Sequence, residues 1–228
     1  FGANYYIMEK YFIKNKIDLS KIKPITSPYL GLTYAVPTKK IIQKKYKDIK
    51  IKEGSNLLVA RKLLEGKIIG RFVERAEFGQ RALGNRSIIA SPFGEDIVKK
   101  INMTIKSRDF WMPFALSILD RFENKYLEKN IFTQSPYMTN CYRLLPGLEN
   151  KLKNGIHPAD NTVRPQIVTK KINYKYYDLI NEFYKLTGVG AILNTSFNLH
   201  GETIVETNDD ALYVFKNSNM DCLILGNL

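Results

Sequence analysis

The sequence predicts a sheet domain of the α/β or α+β class. Two observations point there: segments of helical periodicity alternate with short apolar, β-branched runs, and polar or glycine-rich loops follow those runs. At 228 residues, with 44% hydrophobic and 25% charged residues, the chain has ordinary globular usage and enough length to bury a sizeable core. It contains no internal repeat and no low-complexity tract.

The elements read as follows. Phe1 to Lys14 is a short helix, and Pro24, Pro28, Gly31 and Pro37 then break any long helix. Residues 1–35 are therefore a helix plus linker, and 36–228 the domain proper. SNLLVARKLLEG (Ser55 to Gly66) is a helix with Ser55 as N-cap and Gly66 as stop, and KIIGRFVE (Lys67 to Glu74) is a strand. Asp96 to Lys106 is helical. Strand-like runs lie around Met138 to Arg143 and Thr162 to Thr169 in a Pro-, Tyr- and Phe-rich middle. Tyr174 to Thr187 is an amphipathic helix ended by Gly188, followed by the strand Val189 to Leu193 and the loop Asn194 to Asn198. Asn208 caps a last helix, Asp209 to Lys216, and Asp221 to Leu225 closes the chain as a strand.

The formal charge of +13 attracts nucleic acid, anionic membranes or phosphate-bearing small molecules. Much of the excess is lysine between Lys40 and Lys52, in VKKI and in VTKKI, which reads as a solvated face. No apolar run approaches the roughly 18–20 residues that span a bilayer, and no signal peptide opens the chain, so a soluble cytoplasmic protein is expected. Phe1 stands where a methionine would begin a complete chain, which reads as a fragment. Cys141 and Cys222 sit in apolar runs and are expected to be buried thiols in a reducing compartment.

Three clusters carry chemistry. EFGQRALGNRS (Glu77 to Ser87) packs glycines with Arg81 and Arg86, a combination that holds anions; a plain turn with two surface arginines reads equally well. Asn85 occupies the place of the lysine of a Walker loop, which excludes that chemistry. KSRDFWMPF (Lys106 to Phe114) sets Lys106 and Arg108 before an aromatic stretch that suits either a nucleobase platform or, more commonly, core; Trp111 is the only tryptophan. LNTSFNLHGE (Leu193 to Glu202) runs a strand into a small-polar loop at its carboxyl end, where Ser196 and Asn198 can donate to phosphate; self-satisfying turn chemistry is the alternative. His157 and His200 fall in no metal or triad pattern and read as structural, and no GxSxG elbow is present.

With these clusters in this order, the chain resembles the C-terminal domain of the O-carbamoyltransferases that modify antibiotics and nodulation factors. AEFGQRALGNRSI, KSRDFWMPFAL, VRPQIV, LTGVGAILNTSFN, GETIV, TNDDA and LILGN correspond in register to the family's motifs, and SPYLGLTY to its linker. The likeness covers about Pro28 to Leu228. Departures are Ala76 for methionine and Gln80, Leu116, Gly190 and Thr203 for prolines, which bear on loop stiffness rather than on charge.

The resemblance implies a YrdC-like fold, a twisted mixed sheet with flanking helices and a basic concave face. It implies that ATP and carbamoyl phosphate meet there, and that carbamate attacks the α-phosphate to give carbamoyl adenylate and pyrophosphate. A preceding metal-dependent, ASKHA-like domain would then carry the carbamoyl group to a hydroxyl acceptor that the sequence does not identify. Phe1 to Lys14 would be that domain's last helix, and Fe²⁺ or a similar metal would belong to it alone. Lys106, Arg108 and Arg164 would neutralise phosphate charge, Ser196 and Asn198 would form the Ser-x-Asn element of YrdC-type proteins, and Asn194 would join the same binding set. Arg81 and Arg86 would bind phosphate too, unless one braces the loop through Glu77. Mg²⁺ would arrive with ATP. The alternatives are a threonylcarbamoyl-adenylate synthase acting in tRNA modification and a non-catalytic RNA-binding module; the motifs argue against a nucleic acid partner, and the lack of a long apolar run against a membrane.

Overall fold

The computed structural model describes residues 2–23, 25–109, 112–129 and 135–226. In chain order the elements are α1 (Gly2–Lys14), α2 (Lys39–Lys45), α3 (Asn56–Leu64), β1 (Ile69–Phe72), β2 (Arg86–Ala90), α4 (Ile97–Ile101), β3 (Ala115–Leu119), α5 (Glu123–Tyr126), β4 (Tyr142–Arg143), α6 (Glu149–Leu152), β5 (Thr162–Val163), β6 (Gln166–Val168), α7 (Tyr174–Thr187), β7 (Ala191–Ser196), α8 (Asn208–Lys216) and β8 (Cys222–Leu225). Among the described residues six strands form one mixed sheet in the order β6-β3-β7-β2-β1-β8. The β1–β8 and β3–β6 pairs are parallel and the rest antiparallel. The predicted fold class is therefore the observed one.

Local chemistry accounts for the best-defined helices. In α7, Tyr176, Leu179, Ile180 and Phe183 are buried at the spacing of one helical face. Burying each such side chain stabilises by roughly 1.5–3 kcal/mol. The Asn173 side chain accepts from Tyr176 N at 3.0 Å, and Gly188 at φ 72° ends the helix in the left-handed conformation. Ser55 caps α3 by accepting from Leu58 N at 3.2 Å. α3 and α7 pack on each other, α7 also against β3 and β7, and α8 against β1 and β8.

Several boundaries differ from the sequence expectation. β2 and β3, expected as loop and irregular chain, are strands; all of β2 and most of β3 are buried, which removes the alternation that marks a half-exposed strand. β7 runs through Asn194 to Ser196 instead of ending at Leu193, because Asn194, Thr195 and Ser196 pair with Ile89, Ile88 and Ser87. Only Tyr142 and Arg143 of the run beginning at Met138 form a strand. The N-cap of α8 is Thr207 rather than Asn208, in a capping box with Asp210. α2 forms inside the lysine stretch expected as a solvated face, with Ile42 as its buried anchor. Cys141 is exposed and Cys222 half-buried, not the two buried thiols expected. Trp111 lies outside the described residues.

The segment expected as linker is tied to the domain. Gly31 N donates to Ala76 O, Ala76 N to Leu32 O and Phe78 N to Pro28 O. Tyr29 Oη donates to Leu83 O at 2.8 Å, so the strap grips the glycine-rich loop directly. α1 has no buried residue of its own.

Candidate functional site

Strand pairing gathers the sequence clusters at one edge of the sheet. Phe72 is opposite Arg86, Ser87 opposite Ser196, Asn194 opposite Ala115, and Ser117 opposite Gln166. The carboxyl ends of β1, β7 and β8 therefore meet the amino ends of β2, β3 and β6. The loops carrying Arg81, Lys106, Arg108, Arg164 and Asn198 all leave from this edge.

Lys106 is the centre of the basic group. α4 continues into a π-helical turn, Asn102–Lys106, and Ser107 leaves it at φ 42°. That irregular exit turns Lys106 inward, 5% exposed, against the loop after β7. Its Nζ donates to Ser196 O at 2.6 Å, Ser196 Oγ at 3.2 Å, Asn198 O at 3.1 Å and Asn198 Oδ1 at 2.7 Å. Burial, and then the charge of Arg108, lower its pKa from the usual lysine value to about 7. The four oxygen acceptors act in the opposite sense and favour the ammonium.

The rest of the loop is turned on itself. Ser196 Oγ donates to Asn198 Oδ1 at 2.6 Å, and Asn198 Nδ2 to the carbonyls of Leu199 and Glu202, both at 2.9 Å. Phe197 between them is fully buried, and its ring lies so close over Gly70 that a Cβ there would sit 2.8 Å from it. Arg108 donates through Nε to Asn102 Oδ1 at 2.7 Å and stacks 4.6 Å from the Phe114 ring centre. Its two terminal nitrogens have no hydrogen-bond partner among the described residues.

The two arginines of the glycine-rich loop separate. Arg81 is exposed. Arg86 is 1% exposed and turns away from the loop. It donates to Val73 O at 2.6 Å, Asn85 O at 3.1 Å and Glu74 O at 3.0 Å, over the Phe72 ring at 3.7 Å. Glu77 braces the loop not through an arginine side chain but through the backbone: one carboxylate oxygen accepts from Leu83 N and Asn85 N at 2.7 Å and Arg86 N at 3.3 Å. Amides that would suit a phosphate are occupied by the protein's own anion.

Asn194 belongs to a buried polar network beneath this loop. Its Nδ2 donates to Ala82 O, Ser117 Oγ and Gln166 Oε1, each at 3.1 Å, while its Oδ1 is buried with no hydrogen-bond partner among the described residues. Gln166 Nε2 donates to Leu83 O at 2.8 Å, and Tyr176 Oη to Ser117 Oγ at 3.0 Å. Sequence reasoning missed Arg71, 4% exposed on β1, which donates to Gly84 O and to Asn85 Oδ1 and lies 5.1 Å from the Tyr176 ring centre. Its signal was an arginine inside the apolar run IIGRFV.

Arg164 is exposed just before β6, with Nη2 3.4 Å from Cys141 Sγ. Two strand spacings separate β6 from β7, about 10 Å, so Arg164 flanks the Lys106 group without joining it. Among the described residues no group of three His, Cys, Asp or Glu side chains could hold a metal ion. An iron cage therefore does not fit these residues, and no helix among them is long and apolar enough to cross a membrane.

Residues 60–228 match the family model described as carbamoyltransferase C-terminus. The chain belongs to this family. It is 37% identical over 214 residues to an uncharacterized protein of Methanocaldococcus jannaschii, covering 91% of this chain and 35% of that protein. To nodulation protein NolO of Bradyrhizobium diazoefficiens it is 39% identical over 165 residues, 72% of this chain and 30% of that one. To the 3'-hydroxymethylcephem-O-carbamoyltransferase of Amycolatopsis lactamdurans it is 27% identical over 164 residues, 72% and 30% of the two chains. The chain thus spans about a third of the length of these relatives. In fold it is similar to full-length HypF in a phosphate- and nucleotide-bound form (TM-score 0.56, 19% identity, 92% of this chain and 32% of that one). It is likewise similar to P. abyssi Sua5 complexed with L-threonine (TM-score 0.52, 18% identity, 78% and 48%). These likenesses give a YrdC-like architecture.

Proposed function

We propose that this chain is the adenylate-forming part of an O-carbamoyltransferase, taking ATP and carbamoyl phosphate at the strand-end edge. The reading rests on one observation above the others: Lys106, Arg108 and the Ser196–Asn198 loop converge there, with Arg81 and Arg164 flanking. Water releases phosphate from carbamoyl phosphate and leaves carbamate. A carbamate oxygen attacks the α-phosphorus of ATP, the bond to the bridging oxygen breaks, and pyrophosphate departs, leaving carbamoyl adenylate. Carbamate is already an anion, so the chemistry calls for positioning and charge neutralisation rather than a general base. Arg108 presents free guanidinium nitrogens for a phosphate fork, and Lys106 exchanges loop oxygens for phosphate oxygens. Mg²⁺ travels with the triphosphate. Asn194, Glu77, Arg71 and Arg86 hold the edge in shape.

Transfer to the hydroxyl acceptor is assigned to the N-terminal domain of the longer protein, which would also hold the iron. The test measures pyrophosphate release and acceptor mass in parallel, on this chain and on the chain joined to that domain. With ATP, Mg²⁺ and carbamoyl phosphate, this chain should release pyrophosphate slowly and carbamoylate nothing. Acceptor carbamoylation by this chain alone overturns the division of labour, and pyrophosphate release by neither overturns adenylation. Threonine-dependent release would favour a threonylcarbamoyl-adenylate synthase instead.

A further inference from the structure

The turn that carries Lys106 and Arg108 closes on Asn102, which is fully buried. The Asn102 carbonyl accepts from Ser107 N, the bond that closes the π-helical turn, and from Arg108 N at 3.2 Å. Its side chain reaches the same arginine: Oδ1 accepts from Arg108 Nε at 2.7 Å, while Nδ2 donates to Met112 O at 2.8 Å. With the Phe114 ring centre 4.6 Å from the guanidinium carbon, Arg108 is held at its backbone, at Nε and across its plane. A π-helical turn and a left-handed non-glycine residue such as Ser107, at φ 42°, are both uncommon and recur at functional sites.

The distribution of these contacts bears on how an anion can be taken. A guanidinium offers a two-point fork either side-on, through Nε and one terminal nitrogen, or end-on, through both terminal nitrogens. Asn102 occupies Nε, which closes the side-on mode and leaves the end-on one. Asparagine suits this role better than aspartate would, because its oxygen accepts the Nε–H without cancelling the charge that an anion requires. The anchor also orders a long side chain before any ligand arrives, so that ordering is not a cost of binding. A packing role alone would be met by the backbone bonds and the Nδ2 bond to Met112, and would not require the bond from Oδ1 to Nε.

We infer that Asn102 is the positioning residue of the phosphate arginine, fixing Nε so that Arg108 takes the anion end-on through its two terminal nitrogens. The inference rests on the ATP reading above, and a double-mutant cycle separates the two. Calorimetry measures inorganic tripolyphosphate on this chain and on its Asn102→Ala, Arg108→Ala and doubly substituted variants. Asn102→Ala should weaken binding roughly two- to tenfold and Arg108→Ala more than about tenfold. The double variant should match Arg108→Ala within about twofold. A loss from Asn102→Ala that persists in full without Arg108 makes Asn102 a structural residue and overturns the inference, as does parental affinity in Asn102→Ala. If Asn102→Ala does not fold, the parent chain decides the matter through the NMR signal of Arg108 Nε–H, assigned by its absence in Arg108→Lys. That signal should exchange slowly with solvent both in the free chain and with tripolyphosphate bound, and rapid exchange in either state refutes the anchor. Parental affinity in Arg108→Ala removes the arginine from the site, and the positioning role with it, while Lys106 stands as phosphate ligand. If the parent binds no tripolyphosphate, the ATP reading fails and this inference falls with it.

Discussion

On the proposed reading, Lys106 should make anion binding at the edge a function of pH. In the free chain burial holds its pKa at about 7, so at about pH 8.5 only about 3% of molecules carry the ammonium, against about 90% at about pH 6. A triphosphate that requires the charged form has its apparent Kd divided by that fraction, so ATP should bind roughly thirtyfold more weakly at the higher pH. Lys106→Met should bind weakly at both, and its profile contains every other titration, including that of the nucleotide. The ratio of parent to variant therefore isolates this one group. Calorimetry across the range decides the matter: a ratio that stays flat refutes the argument. The same shift has a sign for stability. The folded-state value lies below the ordinary value of 10.5, so the fold favours the neutral amine. Its contribution is present in full above about 10.5 and is lost as pH falls through about 7. The stability of the parent relative to Lys106→Met should accordingly rise between these limits.

Glu77→Ala leaves three amide donors, all on buried residues, without their acceptor; it should cost about 3 kcal/mol, about 6–12 °C in Tm, with Glu77→Gln milder. Loss of exchange protection at the Asn85 and Arg86 amides is the second readout, and unchanged protection refutes the brace. Gly84 combines φ +118° with a Cβ position 2.5 Å from the Tyr176 ring, so Gly84→Ala should lose more than about 3 kcal/mol, and a parent-like melting curve contradicts this packing. Arg86→Lys cannot keep the fork to Val73 and Glu74; it should lower Tm while the folded fraction binds ATP with parental affinity, and a tenfold weaker Kd would make Arg86 a phosphate ligand. Arg164→Ala should bind ATP at least tenfold more weakly, as expected for loss of one charge-assisted contact, and parental affinity would remove it from the site.

The contrast between α7 and β2 shows what was legible. α7 announces itself because one face is wet and one dry, with Asn173 and Gly188 marking its ends. β2 is buried along its whole length beside a glycine-rich loop, so neither alternation nor punctuation identifies it. The site followed the same division. Composition picked out the clusters, and strand register brought them to one edge. Orientation is what one dimension cannot carry. Arg81 and Arg86 stand five positions apart in the same motif, yet one faces solvent and the other is locked onto the backbone of Val73 and Glu74. The difference comes from Phe72 and the end of β1, which lie under Arg86 only because β1 and β2 pair at that register. Glu77 illustrates the consequence: its carboxylate occupies the loop amides, so the loop holds its shape without an anion. On the proposed reading, anion recognition falls to Lys106, which would exchange its loop oxygens for phosphate, and to Arg108, whose terminal nitrogens have no hydrogen-bond partner among the described residues. A buried frame of Arg71, Glu77, Arg86 and Asn194 would then keep the edge in shape while Lys106 and Arg108 change partners around the proposed ligand.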